Sequence, residues 1–286
     1  MKIARSVEEF RAHRAEIEPG RKVVFVPTMG ALHAGHRSLI KLARSLGDEV
    51  VVSIFVNPLQ FGPGEDYARY PRPLDEDLDT CRAEGVDLVL VPTVTDLYPA
   101  GRQVTVSAGA MGSVLEGEAR PGHFDGVLTV VVKLFNIIRP DVAIFGQKDA
   151  QQLACIQRMV IDLNLGVEVI GGPTVREPDG LALSSRNIFL NPIERPLALL
   201  LSAAVRQAVE QDSVGAARSA AHAVLNQPDP DPTFQLDYAT VVNPANFTEA
   251  ADDYVGPALF VVAAKIGSTR LVDNAVLSFA PVSESV

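Results

Sequence analysis

Lys22-Val23-Val24-Phe25-Val26-Pro27-Thr28-Met29-Gly30-Ala31-Leu32-His33-Ala34-Gly35-His36 is the stretch whose reading decides the architecture of this chain. Lys22–Val26 is apolar at successive positions, which suits a strand buried on both faces, and Pro27 is expected to end it. From His36 to Leu46 the apolar residues Leu39, Ile40, Ala43 and Leu46 share one helical face, and Gly47 supplies the stop. Between the two lies a glycine-bearing turn with two imidazoles three residues apart. A buried strand, a turn and a helix form the opening unit of a parallel α/β sheet.

The pattern continues in both directions. Ser6-Val7-Glu8-Glu9 is a capping-box opening to a short amphipathic helix. Glu49–Val56, Val86–Val91, Val142–Phe145 and Val167–Ile170 read as buried strands. Leu74–Glu84, the apolar Val127–Ile138 and Asp149–Leu163 read as helices between them. Strands apolar on both faces that alternate with helices imply a doubly wound, Rossmann-like parallel sheet covered on both sides, with ligands beyond the carboxyl ends of the strands. The strand order is not readable at this level. After about Gly172 the texture changes. Glu194–Gln211 and Gly215–Leu225 are Ala-rich helical stretches, the Pro/Asp run 227–232 is a stiff connector, and Gln235–Val242, Ala258–Ile266 and Arg270–Phe279 suit an antiparallel sheet. The expected division is a catalytic domain over 1–173 and a smaller C-terminal α+β domain over 174–286 that covers the site. A length of 286 residues fits two such units.

Composition narrows the function. Net charge is −10, Trp is absent and aromatics make up 6% of the chain. That balance disfavours nucleic acid and anionic membranes, which want clustered Lys and Arg, and it disfavours base stacking on single strands. Cys81 and Cys155 are too few for a disulfide framework and lack metal-ligand spacing, so they read as reduced thiols in or near the core. The N-terminus runs directly into charged residues and no apolar run approaches the length of a membrane span, which leads us to expect a cytoplasmic protein without a signal peptide.

The polar, glycine-rich segments fall where strands end. His33 and His36 sit at a helix start, where free N–H groups and the helix dipole favour an anion; an H-x-x-H metal pair is the competing reading. Gly35 between them would let a ligand approach the backbone. Gly146-Gln147-Lys148-Asp149 lies between a strand and a helix. There Gly146 permits close approach, Lys148 offers a point charge, and Asp149 could cap the helix or bind ribose or metal-bound water. Ser184-Ser185-Arg186 follows the turn Glu177-Pro178-Asp179-Gly180 and combines two hydroxyls with a guanidinium fork, a phosphate clamp on a loop able to close. Gln60 and Gln152 carry neutral amides with one acceptor and two donors each, and Asn57 is a companion by the same logic; taken alone, a glutamine in a loop reads as a solvated surface residue.

In this company Thr28-Met29-Gly30-Ala31-Leu32-His33-Ala34-Gly35-His36 resembles the "HIGH" signature as it occurs in the pantothenate synthetase family, within the nucleotidylyl-transferase superfamily. Ser53-Ile54-Phe55-Val56-Asn57-Pro58-Leu59-Gln60-Phe61 resembles its strand-loop substrate segment. Arg120-Pro121-Gly122-His123-Phe124-Asp125-Gly126-Val127 resembles a further block of the same family. Phe145–Gln152 resembles its nucleotide and pantoate segment, and Leu183-Ser184-Ser185-Arg186-Asn187 its counterpart of the "KMSKS" loop. Leu183 stands where many members carry Met, which keeps apolar contact with a purine. The blocks occur in family order from Pro27 to Asn187, and residues beyond Leu190 add little to the resemblance.

The resemblance implies condensation of pantoate with β-alanine through a pantoyl adenylate, with release of AMP and diphosphate. It assigns ATP to Met29, Gly30, Ala31, Leu32, His33, Ala34, Gly35 and His36, to Gly146, Gln147, Lys148 and Asp149, to Val175, and to Leu183, Ser184, Ser185 and Arg186. It assigns pantoate to Gln60 and Gln152, and β-alanine to Gln60. His36, His33, Lys148 and Arg186 carry the catalysis. His36 is usually given a proton-donor role; we read it as a hydrogen-bond donor to phosphate. Mg²⁺ accompanies ATP, and Asp77, in the acidic run Asp75-Glu76-Asp77-Leu78-Asp79, is its candidate ligand, the alternative being carboxylates that simply favour a helix N-terminus. A homodimer is implied. A nucleotidyl transferase for another small acid or phosphorylated metabolite would need more cationic residues. A non-catalytic nucleotide sensor would be expected to have lost one of His33, His36, Lys148 and Arg186.

Overall fold

The computed structural model describes residues 1–226 and 232–280; most of the expected connector 227–232 lies outside the described residues. The main sheet is parallel and six-stranded, built from β1 (Lys2–Ala4), β2 (Val23–Thr28), β3 (Glu49–Ile54), β4 (Leu88–Leu90), β5 (Val142–Gly146) and β6 (Glu168–Gly172), in the order β1-β4-β3-β2-β5-β6. Its helices are α1 (Val7–Ala15), α2 (Ala34–Leu46), α3 (Leu74–Ala83), the short α4 (Val94–Leu97) and α5 (Glu116–Ala119), α6 (His123–Ile138) and α7 (Ala150–Asp162). Alternate residues of β2 feed two cores. Val23 and Phe25 pack with α1, α6 and α7, whereas Val24 and Val26 pack with α2 and α3. Burial on both faces is what made these strands continuous apolar runs in the sequence.

Two local expectations need correction. β2 does not end at Val26 but runs through Pro27 to Thr28. Val23 bonds Asp141 on the β5 side through both its N–H and its carbonyl, and the alternation along the strand aims the imino nitrogen of Pro27 to the same side. β2 pairs with β5 only at Val24 and Phe25, so no ladder bond is asked of Pro27. β1, which pairs in parallel with β4, went unread because three residues carry no periodicity.

The strand order places β2 at the switch point, with β3, β4 and β1 on one side and β5 and β6 on the other. β2 stays in register with β3 as far as Thr28 and Ile54 but leaves β5 after Phe25, which opens a crevice beyond the strand ends. The C-terminal part contains α8 (Glu194–Val209), α9 (Val214–Leu225) and the antiparallel sheet of β7 (Phe234–Val242), β8 (Gly256–Ile266) and β9 (Thr269–Phe279), as the sequence led us to expect. Its main core draws only on residues from Leu181 onward. A smaller cluster of Val242, Phe247 and Val261 packs against Met111, Leu115 and Ala154 and joins the two parts.

One close approach fixes the relation of α6 to the 3₁₀ turn Pro58–Gln60. A Cβ on Gly126 would lie 2.2 Å from the carbonyl oxygen of Leu59, a backbone atom that cannot swing aside. Gly126→Ala is therefore expected to destabilise the fold by about 2–3 kcal/mol. Urea unfolding should show a lowered midpoint, and an unchanged midpoint would contradict this packing.

Candidate functional site

The crevice continues into a cavity of about 1240 Å³, counting its open mouth. Its wall brings together Met29, His33, Gly35, His36, Gln60, Gly146, Lys148, Asp149, Gln152, Val175, Leu183, Ser184, Ser185 and Arg186, with Asn57 beside them. Residues from five separated segments thus meet in one place. Gly30, Ala31, Leu32, Ala34 and Gln147 belong to the same loops but do not face the cavity, and neither does Asp77.

The loop after β2 explains the orientation of the histidines. Gly30 and Ala31 both have positive φ, 84° and 51°, so the chain reverses sharply before α2. Asp77 of α3, 2% exposed, holds that reversal: its two carboxylate oxygens accept from the amides of Ala31 at 2.9 Å and Leu32 at 2.7 Å. Burial pushes its carboxyl up, and the two amide hydrogen bonds oppose that shift. Asp77, the candidate magnesium ligand of the sequence reading, is absent from the cavity wall, and each of its oxygens accepts a loop amide, which shapes the site from behind.

α2 opens with a reciprocal cap made by the two imidazoles. Nδ1 of His33 accepts from the Gly35 amide at 3.1 Å, and Nδ1 of His36 accepts from the His33 amide at 3.3 Å. A neutral imidazole that accepts at Nδ1 carries its proton on Nε2. Both rings therefore act as neutral N–H donors at Nε2, with centroids 4.1 Å apart and planes tilted by 41°. Burial, reinforced by His33, pushes His36 down to about 3. Burial, reinforced by Lys148, also lowers His33. Gly35 lines the cavity, and its missing Cβ also makes room for the His33 ring, 2.9 Å from where that carbon would be.

Each permanent cation already has an anion. Nζ of Lys148 lies 3.3 Å from Oδ1 of Asp149. Asp149 is the N-cap of α7 but makes no side-chain capping hydrogen bond, so the capping alternative does not hold. The Arg186 guanidinium grips Asp66 with a two-point fork, Nε to Oδ2 at 2.9 Å and Nη2 to Oδ1 at 3.1 Å. Burial would raise the Asp66 carboxyl, but Arg186 outweighs it and holds the group below its usual range. The hydroxyls of Ser185 and Tyr70 lie 3.2 Å apart, which ties the 184–186 loop to the same segment. The turn before this loop forms as read, with the Gly180 amide donating to the Glu177 carbonyl at 2.8 Å.

The amide end of the cavity has a fixed polarity. Oδ1 of Asn57 accepts from the Leu59 amide at 3.2 Å and from the Tyr98 hydroxyl at 2.8 Å, so its Nδ2 donates to Oε1 of Gln60 at 3.0 Å. Gln60 is left presenting its NH₂, which also approaches the Met29 sulfur at 3.2 Å. Val127, Val130, Val131 and Leu134 of α6 form an apolar wall. Ser53, fully buried in the lining, has a hydroxyl without a hydrogen-bond partner.

Three contributors escaped the sequence reading. Asp66 and Tyr70 sit in a segment with no periodic signal. Asn274 comes from β9, more than a hundred residues from the loop it serves; its Nδ2 donates to the carbonyls of Gln147 at 3.0 Å and Lys148 at 2.7 Å. Its neighbour Asp273 forks onto Arg176 at 2.6 and 2.9 Å, beside Val175. Cys81 and Cys155 are buried thiols away from the cavity, each pushed by burial up to about 12. Among the described residues no cluster of three or more His, Cys, Asp or Glu could hold a metal, so the H-x-x-H pair has no third ligand.

The model of the pantoate-β-alanine ligase family matches residues 2–276. Pantothenate synthetase of Thermobifida fusca is 55% identical over 285 residues, covering 96% of this chain and 95% of its own. A crystal structure of pantothenate synthetase from Thermus thermophilus superposes with a TM-score of 0.90 at 45% identity, covering 96% of this chain and 99% of that one. A pantoate-β-alanine ligase from Francisella tularensis, complexed with β-γ ATP and β-alanine, superposes with a TM-score of 0.80 at 35% identity, covering 96% of this chain and 97% of its own.

The depressed His36 has a consequence for stability. An unfolded chain protonates this imidazole near 6.5 and the folded one only near 3, so the unfolded state binds more protons between those values. Stability should be full above about pH 6.5 and fall as pH drops toward 3. His36→Asn should flatten part of that slope in urea titrations at successive pH values, and an identical slope would contradict the neutral assignment.

Proposed function

The chain belongs to the pantoate–β-alanine ligase family, and on that premise we propose that its cavity forms a pantoyl adenylate from pantoate and ATP and then passes the pantoyl group to β-alanine. The carrying observation is the convergence in one cavity of neutral imidazole donors, Lys148 and the 184–186 loop at one end with amides and an apolar wall at the other. The first end suits a triphosphate. The second suits a hydroxy acid whose central carbon bears two methyl groups.

In the first half-reaction a pantoate carboxylate oxygen attacks the α-phosphorus of ATP, and diphosphate leaves with the bond electrons. The Nε2–H groups of His33 and His36, at the positive end of α2, meet charge that grows on the phosphates. Being neutral, they donate without surrendering a proton, and we assign His36 that role rather than acid catalysis. Lys148 and Arg186 add positive charge once phosphate oxygens compete with Asp149 and Asp66 for them. Val175 and Gly146 border the nucleoside, with Leu183 against the purine. Gln60 donates through its NH₂ to pantoate oxygens, Gln152 faces it from α7, and the α6 valines take the methyl groups. In the second half-reaction the free amine of β-alanine, near Gln60, attacks the acyl carbon. AMP departs and the amine nitrogen sheds a proton.

Mg²⁺ that arrives on ATP keeps most of its waters and needs only one or two carboxylates. Asp149, lining the cavity and not engaged as a helix cap, fits as the oxygen that would hold it. The ion would neutralise phosphate charge when bound. We further read residues 174–286 as a smaller domain covering the site, which the separate core from Leu181 onward supports. A homodimer, checked by sedimentation, and a cytoplasmic setting complete the reading; among the described residues no helix is long and apolar enough to cross a membrane.

The test is an assay of product formation. AMP and diphosphate should appear only with ATP and pantoate together, and pantothenate only after β-alanine is added; ADP and phosphate would overturn the adenylate route. In single turnovers His36→Ala and Lys148→Ala should each slow adenylation about 10²- to 10³-fold, the scale for one transition-state donor; Lys148→Ala should keep its melting temperature, whereas His36→Ala also loses a helix cap and should melt lower while remaining folded. Asn274→Ala should raise the KM for ATP about 5- to 10-fold and leave that for pantoate unmoved, as expected for one lost hydrogen-bonding group behind the Lys148 loop.

A further inference from the structure

Arg120 and His123, from the Arg120–Val127 block, lie outside the cavity wall and have no part in the chemistry above. His123 lies at the first turn of α6 and is 9% exposed. Its Nδ1 is 2.8 Å from the main-chain oxygen of Gln60, and its Nε2 is 3.2 Å from Nη1 of Arg120. An arginine only donates, so Nε2 of His123 accepts and the ring proton sits on Nδ1. That proton points at the Gln60 carbonyl. Arg120 reaches the same oxygen through Nη2 at 3.2 Å, closing a triangle of three groups. Glu65 holds the fork at 2.6 and 2.9 Å, and Glu116 approaches it at 3.5 Å. His123 is thus the opposite tautomer to His33 and His36. Gln60 is anchored through its main chain by this pair and through its side chain by Asn57.

We propose that Arg120 and His123 are positioning residues that fix the main chain of Gln60 and thereby aim its amide at pantoate. The inference rests on the pantoate reading of Gln60. It predicts that variants of His123 change recognition of pantoate according to which ring nitrogen they replace. Asn places its NH₂ where Nδ1 stood and keeps the bond to Gln60. Gln places its amide at Nε2 and keeps only the bond to Arg120.

The experiment measures KM for pantoate and for ATP in His123→Asn, His123→Gln, Gln60→Ala and the double variant. His123→Gln should raise the KM for pantoate about 5- to 10-fold with the KM for ATP unchanged, the scale of one neutral hydrogen bond, and His123→Asn should restore it to within about 2-fold of the parent. On the Gln60→Ala background His123→Gln should add nothing further. Equal effects of Asn and Gln, or a matching rise in the KM for ATP, would mean general structural support and overturn the proposal. A Gln60→Ala variant with unchanged KM for pantoate would overturn the pantoate reading itself, whereas a damaged Gln60→Ala beside a neutral His123→Gln overturns only the positioning role. Should His123→Gln fail to fold, the unmodified protein still answers. Nitrogen-15 shifts should show a protonated Nδ1 and a bare Nε2 for His123, and the reverse tautomer would refute the geometry.

Discussion

The site depends on one buried carboxylate. Asp77 accepts from the amides of Ala31 and Leu32 at the turn where Gly30 and Ala31 both have positive φ. An alanine in that region carries a cost of about 1 kcal/mol or more, and the hydrogen bonds that the two amides donate to the carboxylate offset it. Once the reversal is held, α2 can begin at Ala34, immediately beyond the end of β2, with its first-turn imidazoles over the crevice. Gly30 belongs to the same constraint, because a Cβ there would stand 2.9 Å from Oδ2 of Asp77. The anchor lies on the opposite side of the loop from the substrates, so geometry is set without any loss of donors to the cavity.

Electrostatics follow a similar plan. In a chain of net charge −10, the two permanent cations of the cavity wall, Lys148 and Arg186, each stand opposite a carboxylate, and on the proposed reading they are held in reserve for phosphate. Phosphate competes for groups that are already ordered, which lowers the entropic cost of binding. On the same reading the two imidazoles contribute dipoles in place of charge, and their neutrality would remove proton uptake from the recognition of phosphate near neutral pH.

Much of this was legible in the amino-acid order, and the unread parts share a cause. β2 and β3 announce themselves as apolar runs because both faces are covered. The glycine and histidine spacing after β2 marks the helix start. Residues whose importance lies in long-range contact left no trace: Asp77 reads like any acidic residue opening a helix, Asp66 like a polar loop residue, and Asn274 like an interruption in a strand. The room that Gly35 leaves for the His33 ring was equally invisible, because it depends on where that ring turns. Pro27 misled because its local rule assumes a ladder on both sides, and the ladder to β5 has ended by then. Strand order followed the same logic, since periodicity reports how a segment is buried and nothing of what lies beside it.

Asn274 carries a consequence for how the enzyme is made. It stands in β9, far along the chain from the parallel sheet, yet it donates to the successive carbonyls of Gln147 and Lys148. During synthesis that parallel sheet is complete long before this side chain exists. The nucleotide loop acquires its clamp only when β9 has been added, so a fully assembled site is itself a certificate that translation has passed this strand.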